Sequence, residues 1–321
     1  MYVRKNLRWG VVWQLTRRSL VVFLLYDTLI CLLYGPLNVH WLDIPWQPVA
    51  MLGTAVALYI GFKSNGSYDR FWEGRQLWGS IVNTSRIWAI RVFDFVPASP
   101  DAPALAPDGP PSALHRRLLY RQLAWVHALR LHLRRQTAAL WDTEVAPFLP
   151  ADEAAELKTL SNPPTHLLRR QGEELRALAA EGQLTEFRQV ALVQTLQDLL
   201  NAQGGCERIK NTPFPRQYAF FSFFFVWVFA ALLPLGLVEE FDHRQALGEY
   251  HVWLMVPFSM LVSWVFNVME VVGHTSENPF ENDIYDVPMT AICRSIEFDL
   301  RELLGETELP PKIEPVQDVL Y

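Results

Sequence analysis

The sequence carries no P-loop, no GxGxxG, no HExxH and no GxSxG. A pump needs a nucleotide site, and none is visible. These gaps shift the balance from enzyme toward passive transport or scaffolding. Cysteine is scarce: Cys31, Cys206 and Cys293 lie far apart and form no CxxC, which argues against a disulfide scaffold and a zinc site. The eight histidines form no metal-spaced pair. Excess basic charge is missing too. A net charge of −6 argues against a nucleic-acid binder, which would usually show a basic face. No alternating strand pattern persists and no repeat is found, so the expected fold class is all-α.

Long apolar runs are present. Half of the 321 residues are hydrophobic, yet the mean hydropathy is only +0.08. That balance fits some membrane spans joined to a sizeable water-facing part. The 12 Trp and 19 Phe suit interfacial belts. Four runs stand out: "SLVVFLLYDTLICLLYGPL" (Ser19 to Leu37), "PVAMLGTAVALYIGF" (Pro48 to Phe62), "YAFFSFFFVWVFAALLPLGLV" (Tyr218 to Val238) and "YHVWLMVPFSMLVSWVFNVM" (Tyr250 to Met269). Roughly 20 apolar residues span a bilayer core. The second run is short, but Trp46 can sit at one interface while Lys63 snorkels at the other.

Flanking charge sets the orientation. Arg4, Lys5, Arg8, Arg17 and Arg18 precede the first run; Lys63, Arg70, Arg75, Arg86 and Arg91 follow the second. The connection from Asn38 to Gln47 has no Lys or Arg, and that from Glu239 to Glu249 has one Arg among four acids. Basic flanks stay in the cytoplasm. The expected organisation is a cytosolic segment (1–18), transmembrane helices 1 and 2 (19–62), a cytosolic helical domain (63–215), transmembrane helices 3 and 4 (216–270) and a cytosolic C-terminal segment (271–321). Both termini are then cytosolic, and the first run is retained rather than cleaved. Within the middle segment, "ASPDAPALAPDGPPS" (Ala98 to Ser112) reads as a loop. Helical spacing covers His115 to Trp141, Ala151 to Leu160 continuing from Thr165 to Ala180, and Leu184 to Lys210, with "SNPP" (Ser161 to Pro164) as a break.

The second run changes character abruptly. In "TAVALYIGFKSNGSYDRFWEGR" the oily stretch ends at Gly61 and Phe62, and a charged aromatic segment begins. A helix leaving a membrane accounts for that step. Thr54, Leu58 and Phe62 repeat every four residues, which lays them along one helical face. Around a symmetric oligomer each would form a ring, and hydrophobic rings gate by dewetting. The same spacing suits packing against neighbouring helices or lipid, and Gly53 and Gly61 allow close packing in either case.

Three stretches together resemble the bestrophin family of ion channels. They are "GFKSNGSYDRFWEGRQLWGSIVNTSR" with its Arg70-Phe71-Trp72 segment, "GGCERIKNTPFPRQY" (Gly204 to Tyr218), and "ENPFENDIYDVP" (Glu277 to Pro288) followed by "MTAICRSIEFDLRELLGE". The second stretch and the short C-terminal tail look prokaryotic. The resemblance covers nearly the whole chain except the Pro-rich loop. It implies a homopentamer with one central pore in a bacterial inner membrane, with lipid and monovalent ions as its partners and no enzymatic activity. It places the pore neck on Thr54, Leu58 and Phe62. Thr54 departs from the family's usual aliphatic residue and makes the outer ring wetter. A second, cytosolic constriction is implied on the Leu184 to Leu200 helix, near Ala191 or Leu192.

Cofactors are not expected. The family's animal members use calcium, bound by a dense acidic run. Here Glu277, Glu281, Asp283 and Asp286 are interrupted by Asn282, Ile284 and Tyr285, too thin for six to eight oxygens, and an acidic turn ahead of Pro288 is the favoured reading. Asp27, the one charge inside the first run, is either functional or paired with a neighbouring helix. The family at large conducts chloride, and at least some prokaryotic members favour monovalent cations. Aromatic edges at Phe62 favour an anion. Acids in the outer connections, Asp43, Glu239, Glu240, Asp242 and Glu249, favour a cation if they face the axis, and tilt the reading slightly that way. The competing reading is a membrane-anchored helical interaction protein that does not conduct.

Overall fold

The computed structural model describes residues 1–98, 111–242 and 248–321. Among them the regular structure is helical, apart from two isolated bridges, Tyr2 with Val319 and Val316 with Val319. The α-helices are α1 (Trp9–Tyr34), α2 (Trp46–Phe95), α3 (Ala113–Leu133), α4 (Thr137–Glu144), α5 (Ala151–Lys158), α6 (Pro163–Ala180), α7 (Glu186–Asn211), α8 (Arg216–Asp242), α9 (Met255–Thr275) and α10 (Met289–Leu303). They fall into two compact units. One comprises Arg4–Arg70 and Pro213–Asn278; the other comprises Met1–Val3, Phe71–Thr212 and Pro279–Tyr321. Most of the Pro-rich stretch lies outside the described residues.

The first unit is an apolar bundle of α1, α8, α9 and the first part of α2. Among the described residues, three helical stretches, those containing α2, α8 and α9, are long and apolar enough to cross a membrane. By composition α1 is a weaker candidate, because Arg17, Arg18 and Asp27 punctuate it. Its packing is nonetheless two-faced. Phe23, Ile30, Cys31 and Tyr34 are buried, while Val21, Val22, Leu24, Leu25, Leu29 and Leu32 are exposed. Gly53 sets the approach of α2 to α8: a Cβ there would lie 2.8 Å from the Phe229 ring. Gly61 faces open space instead, so it makes no close helix contact within the chain.

In the second unit the core gathers α3, α6, α7, α10 and the latter part of α2. Trp78, Trp88, Trp125 and Trp141 are fully buried. The Trp125 indole donates to Gln203 Oε1 at 3.1 Å and the Trp141 indole to the Ala154 carbonyl at 3.0 Å, so these two polar edges are satisfied. The SNPP break behaves as its chemistry demands. Asn162 accepts from the Thr165 amide, and Pro163 and Pro164 occupy the first turn of α6, where a missing N–H costs nothing. The single helix expected from His115 to Trp141 is in fact two, α3 and α4. Arg135 adopts φ 56°, and the Gln136 amide reaches back to the Leu131 carbonyl. Glycine normally marks such a left-handed stop; an arginine gives no warning in sequence.

Candidate pore-lining site

The first part of α2 has two apolar faces. Val49, Val56 and Ile60 pack against Val226, Phe229 and Leu233 of α8. Met51, Thr54, Leu58 and Phe62 point away from the bundle, with Leu58 61% and Phe62 72% exposed. A single chain cannot cover both faces, so this one needs lipid or further copies of the chain. Beyond Phe62 the exposed stripe continues at helical spacing through Asn65 and Asp69. The oily-to-polar step is therefore a property of one continuous helical face. The Thr54 hydroxyl donates to the Ala50 carbonyl at 3.1 Å, which turns its proton back into the helix. That leaves Thr54 less wet than a free hydroxyl.

On α7 the structure corrects the expected constriction. Leu192 is fully buried in the unit's core. Ala191 is half-buried, and its carbonyl accepts from Arg91 Nη1 at 2.6 Å. Leu192 presents no side chain outward, and Ala191 does so only in part. Phe187 and Val190, the second and fifth residues of the helix, are turned outward, at 90% and 68% exposure.

The acids in the outer connections are differently placed. Glu240 and Asp242 are exposed, Asp43 and Glu239 half-buried, and the Glu249 side chain lies outside the described residues. The Tyr34 hydroxyl donates to Asp242 Oδ2 at 3.4 Å, a contact within the chain itself. Asp27 is buried on the bundle face of α1, and its Oδ2 has no hydrogen-bond partner.

The acids of the third resembling stretch are each engaged separately. Asp286 accepts from the amides of Glu281 (2.6 Å) and Asp283 (3.1 Å) and so builds the turn ahead of Pro288. Burial pushes its carboxyl up to about 6, although those amides favour the charged form. Glu281 pairs with Lys210 at 2.8 Å, and Asp283 is exposed. Among the described residues no three His, Cys, Asp or Glu side chains gather as a metal-ligand set. Glu277 is instead one arm of a buried cluster that sequence reasoning missed. Lys63, expected to snorkel, is fully buried between Glu270 (2.9 Å) and Glu277 (3.2 Å). The sequence signal was Glu270, an acid near the end of an apolar run, with no cation close to it in the chain.

The family model described as Bacterial/Fungal Bestrophin protein matches residues 3–302. The voltage-dependent anion channel-forming protein YneE of Escherichia coli K12 is 31% identical over 269 residues, covering 84% of this chain and 80% of that one. The voltage-dependent anion channel-forming protein RSc3414 of Ralstonia nicotianae is 30% identical and covers 96% of each. Among solved structures, a bacterial bestrophin homologue from Klebsiella pneumoniae superposes with a TM-score of 0.76 at 26% identity, covering 90% of this chain and 98% of the other.

Proposed function

Because this chain belongs to the bacterial and fungal bestrophin family, we propose that it is a passive ion channel, five copies surrounding one central pore. The observation that carries the proposal is the second apolar face of α2, exposed in the single chain and satisfied when five copies turn it inward. Thr54, Leu58 and Phe62 then form three rings of a hydrophobic neck that conducts only when wetted. Phe187 takes the role of the cytosolic constriction. The exposed leucines and valines of α1 face lipid and make it a fourth span. The bundle unit sits in the inner membrane, both termini lie in the cytosol, and the chain acts as a channel rather than an enzyme.

For the permeant ion, the names of the two relatives support an anion. The tilt toward cations depends on the outer acids facing the axis. The Tyr34 contact of Asp242 ties one of them to its own protomer. Phe62 edges offer an anion a favourable ring. Calcium is not required: chelating it on the cytosolic side is expected to leave the current unchanged, and a reversible loss of current on chelation would restore an acidic clasp. Mass measurement of gently solubilised protein is expected to give five chains. A monomer would leave the membrane-anchored interaction protein as the better reading.

A further inference from the structure

One cation of α2 is enclosed by the bundle immediately beside the neck. Lys63 follows Phe62, so its side chain leaves the helix about 100° around the axis from that ring. It lies 2.9 Å from Glu270 Oε1 on α9 and 3.2 Å from Glu277 Oε1, just beyond α9. His274 Nδ1 lies 3.5 Å from the same Glu277 oxygen, and its side chain is 67% exposed. Two turns further along α2 than Lys63, Arg70 Nε donates to the Glu277 carbonyl at 2.9 Å. The two helices approach closely here: a Cβ on Gly273 would lie 3.0 Å from Ser64 Oγ. These residues all belong to the bundle unit.

Two carboxylates, Glu270 and Glu277, share the Lys63 ammonium, and the Arg70 guanidinium faces them from the Glu277 carbonyl. A protonated His274 adds a further cation directly on the buried Glu277 carboxylate, and a neutral imidazole withdraws it. His274 is the member that solvent reaches. The geometry points to a proton-sensitive clamp, in which Lys63, Glu270, Glu277 and His274 set the rotation of α2 and with it the aim of Phe62, so that cytosolic pH regulates the neck. This inference rests on the channel reading above. Lys63 is a positioning residue here and does not touch the ion.

Contact with Glu277 pushes the His274 imidazole up from its ordinary value, with burial and Lys63 opposing and Glu270 assisting. Burial works against charge on Glu277, but His274 and Lys63 outweigh it and hold the carboxyl below the usual range. The raised imidazole places the sign: the clamp is complete at low pH and loosens as pH rises through His274's raised value.

The test is single-channel conductance in bilayers while the cytosolic side is titrated from about pH 5.5 to about pH 8.5, bracketing an imidazole. The parent is expected to show one transition, with a midpoint above that of an ordinary imidazole. H274Q, at an exposed position, is expected to fold normally and lose the transition. E277Q is expected to lower the midpoint by about one pH unit or more, because the opposite charge is gone. K63R is expected to follow the parent, and K63M to lose the transition and change conductance. A conducting parent whose conductance ignores pH overturns the clamp and leaves the channel reading standing. So does an H274Q variant that keeps the parental profile, or an E277Q variant whose midpoint does not move. A parent that conducts at no pH overturns the channel reading and the clamp with it.

Discussion

Replacing Leu58 and Phe62 together by Ala is expected to raise single-channel conductance several-fold while leaving expression and assembly intact. Both side chains are mostly exposed in the chain, so shortening them opens no cavity within the protomer. Exposed substitutions away from special features usually change stability by about 0.5 kcal/mol or less. What changes is the bore: each ring loses apolar bulk from five sides, and the barrier to wetting falls with width. Ile60, on the opposite face of the same helix, is the control. It is fully buried among α8 side chains, and Ile60→Ala is expected to cost about 2–5 kcal/mol through the cavity it leaves. A double variant that conducts like the parent would show that the neck lies elsewhere or does not limit flow.

Loss of Arg121 is expected to have the largest effect on stability. Arg121 Nε and Nη2 donate to the two oxygens of Glu153 at 2.9 and 3.0 Å, and Nη1 donates to Glu174 at 2.9 Å. All three lie in the second unit, with Arg121 and Glu153 buried. Arg121→Ala strands Glu153 without a cation, a change that typically costs about 3–5 kcal/mol. For a unit of this size that lowers the melting temperature by about 10 °C, read from the signal of the buried Trp125 and Trp141. Arg121→Met with Glu153→Leu is expected to recover most of the loss, since an apolar replacement of a buried pair is often neutral. Glu174 adds a pH dependence. Burial opposes its charge, but Arg117 and Arg121 outweigh burial and hold the carboxyl low. Its contribution is present above the ordinary glutamate value and lost as pH falls through the lower folded value. A melting temperature of Arg121→Ala equal to the parent's would contradict this account of the core.

Much of this molecule is legible in its sequence, for identifiable reasons. The α8 and α9 runs are long and nearly uncharged, and the shorter α2 run is extended by Trp46 at one end and the helical continuation past Phe62 at the other. The Thr54, Leu58 and Phe62 face is legible because small or branched residues alternate around it at a fixed helical spacing. What failed to show did so where the pattern was ambiguous. Helix α7 carries apolar residues on both sides, Phe187 and Val190 on one and Leu192 and Leu196 on the other. Spacing alone does not tell which side meets the core, so Leu192 was placed outward and Phe187 overlooked. Lys63 was read as a membrane-edge cation because its partners, Glu270 and Glu277, lie more than 200 residues away. The stop at Arg135 is set by tertiary packing that overrides a residue with no preference for a left-handed turn.

The central claim is that the exposed face of α2 lines a conducting pore. The most direct measurement is current through a bilayer containing only this protein, under a sodium chloride gradient, for the parent and the Leu58→Ala, Phe62→Ala variant. The account predicts a parental current reversing near the chloride potential and a larger current at the same reversal in the variant. A bilayer that stays silent with both proteins contradicts the pore, and reversal near the sodium potential contradicts the anion assignment.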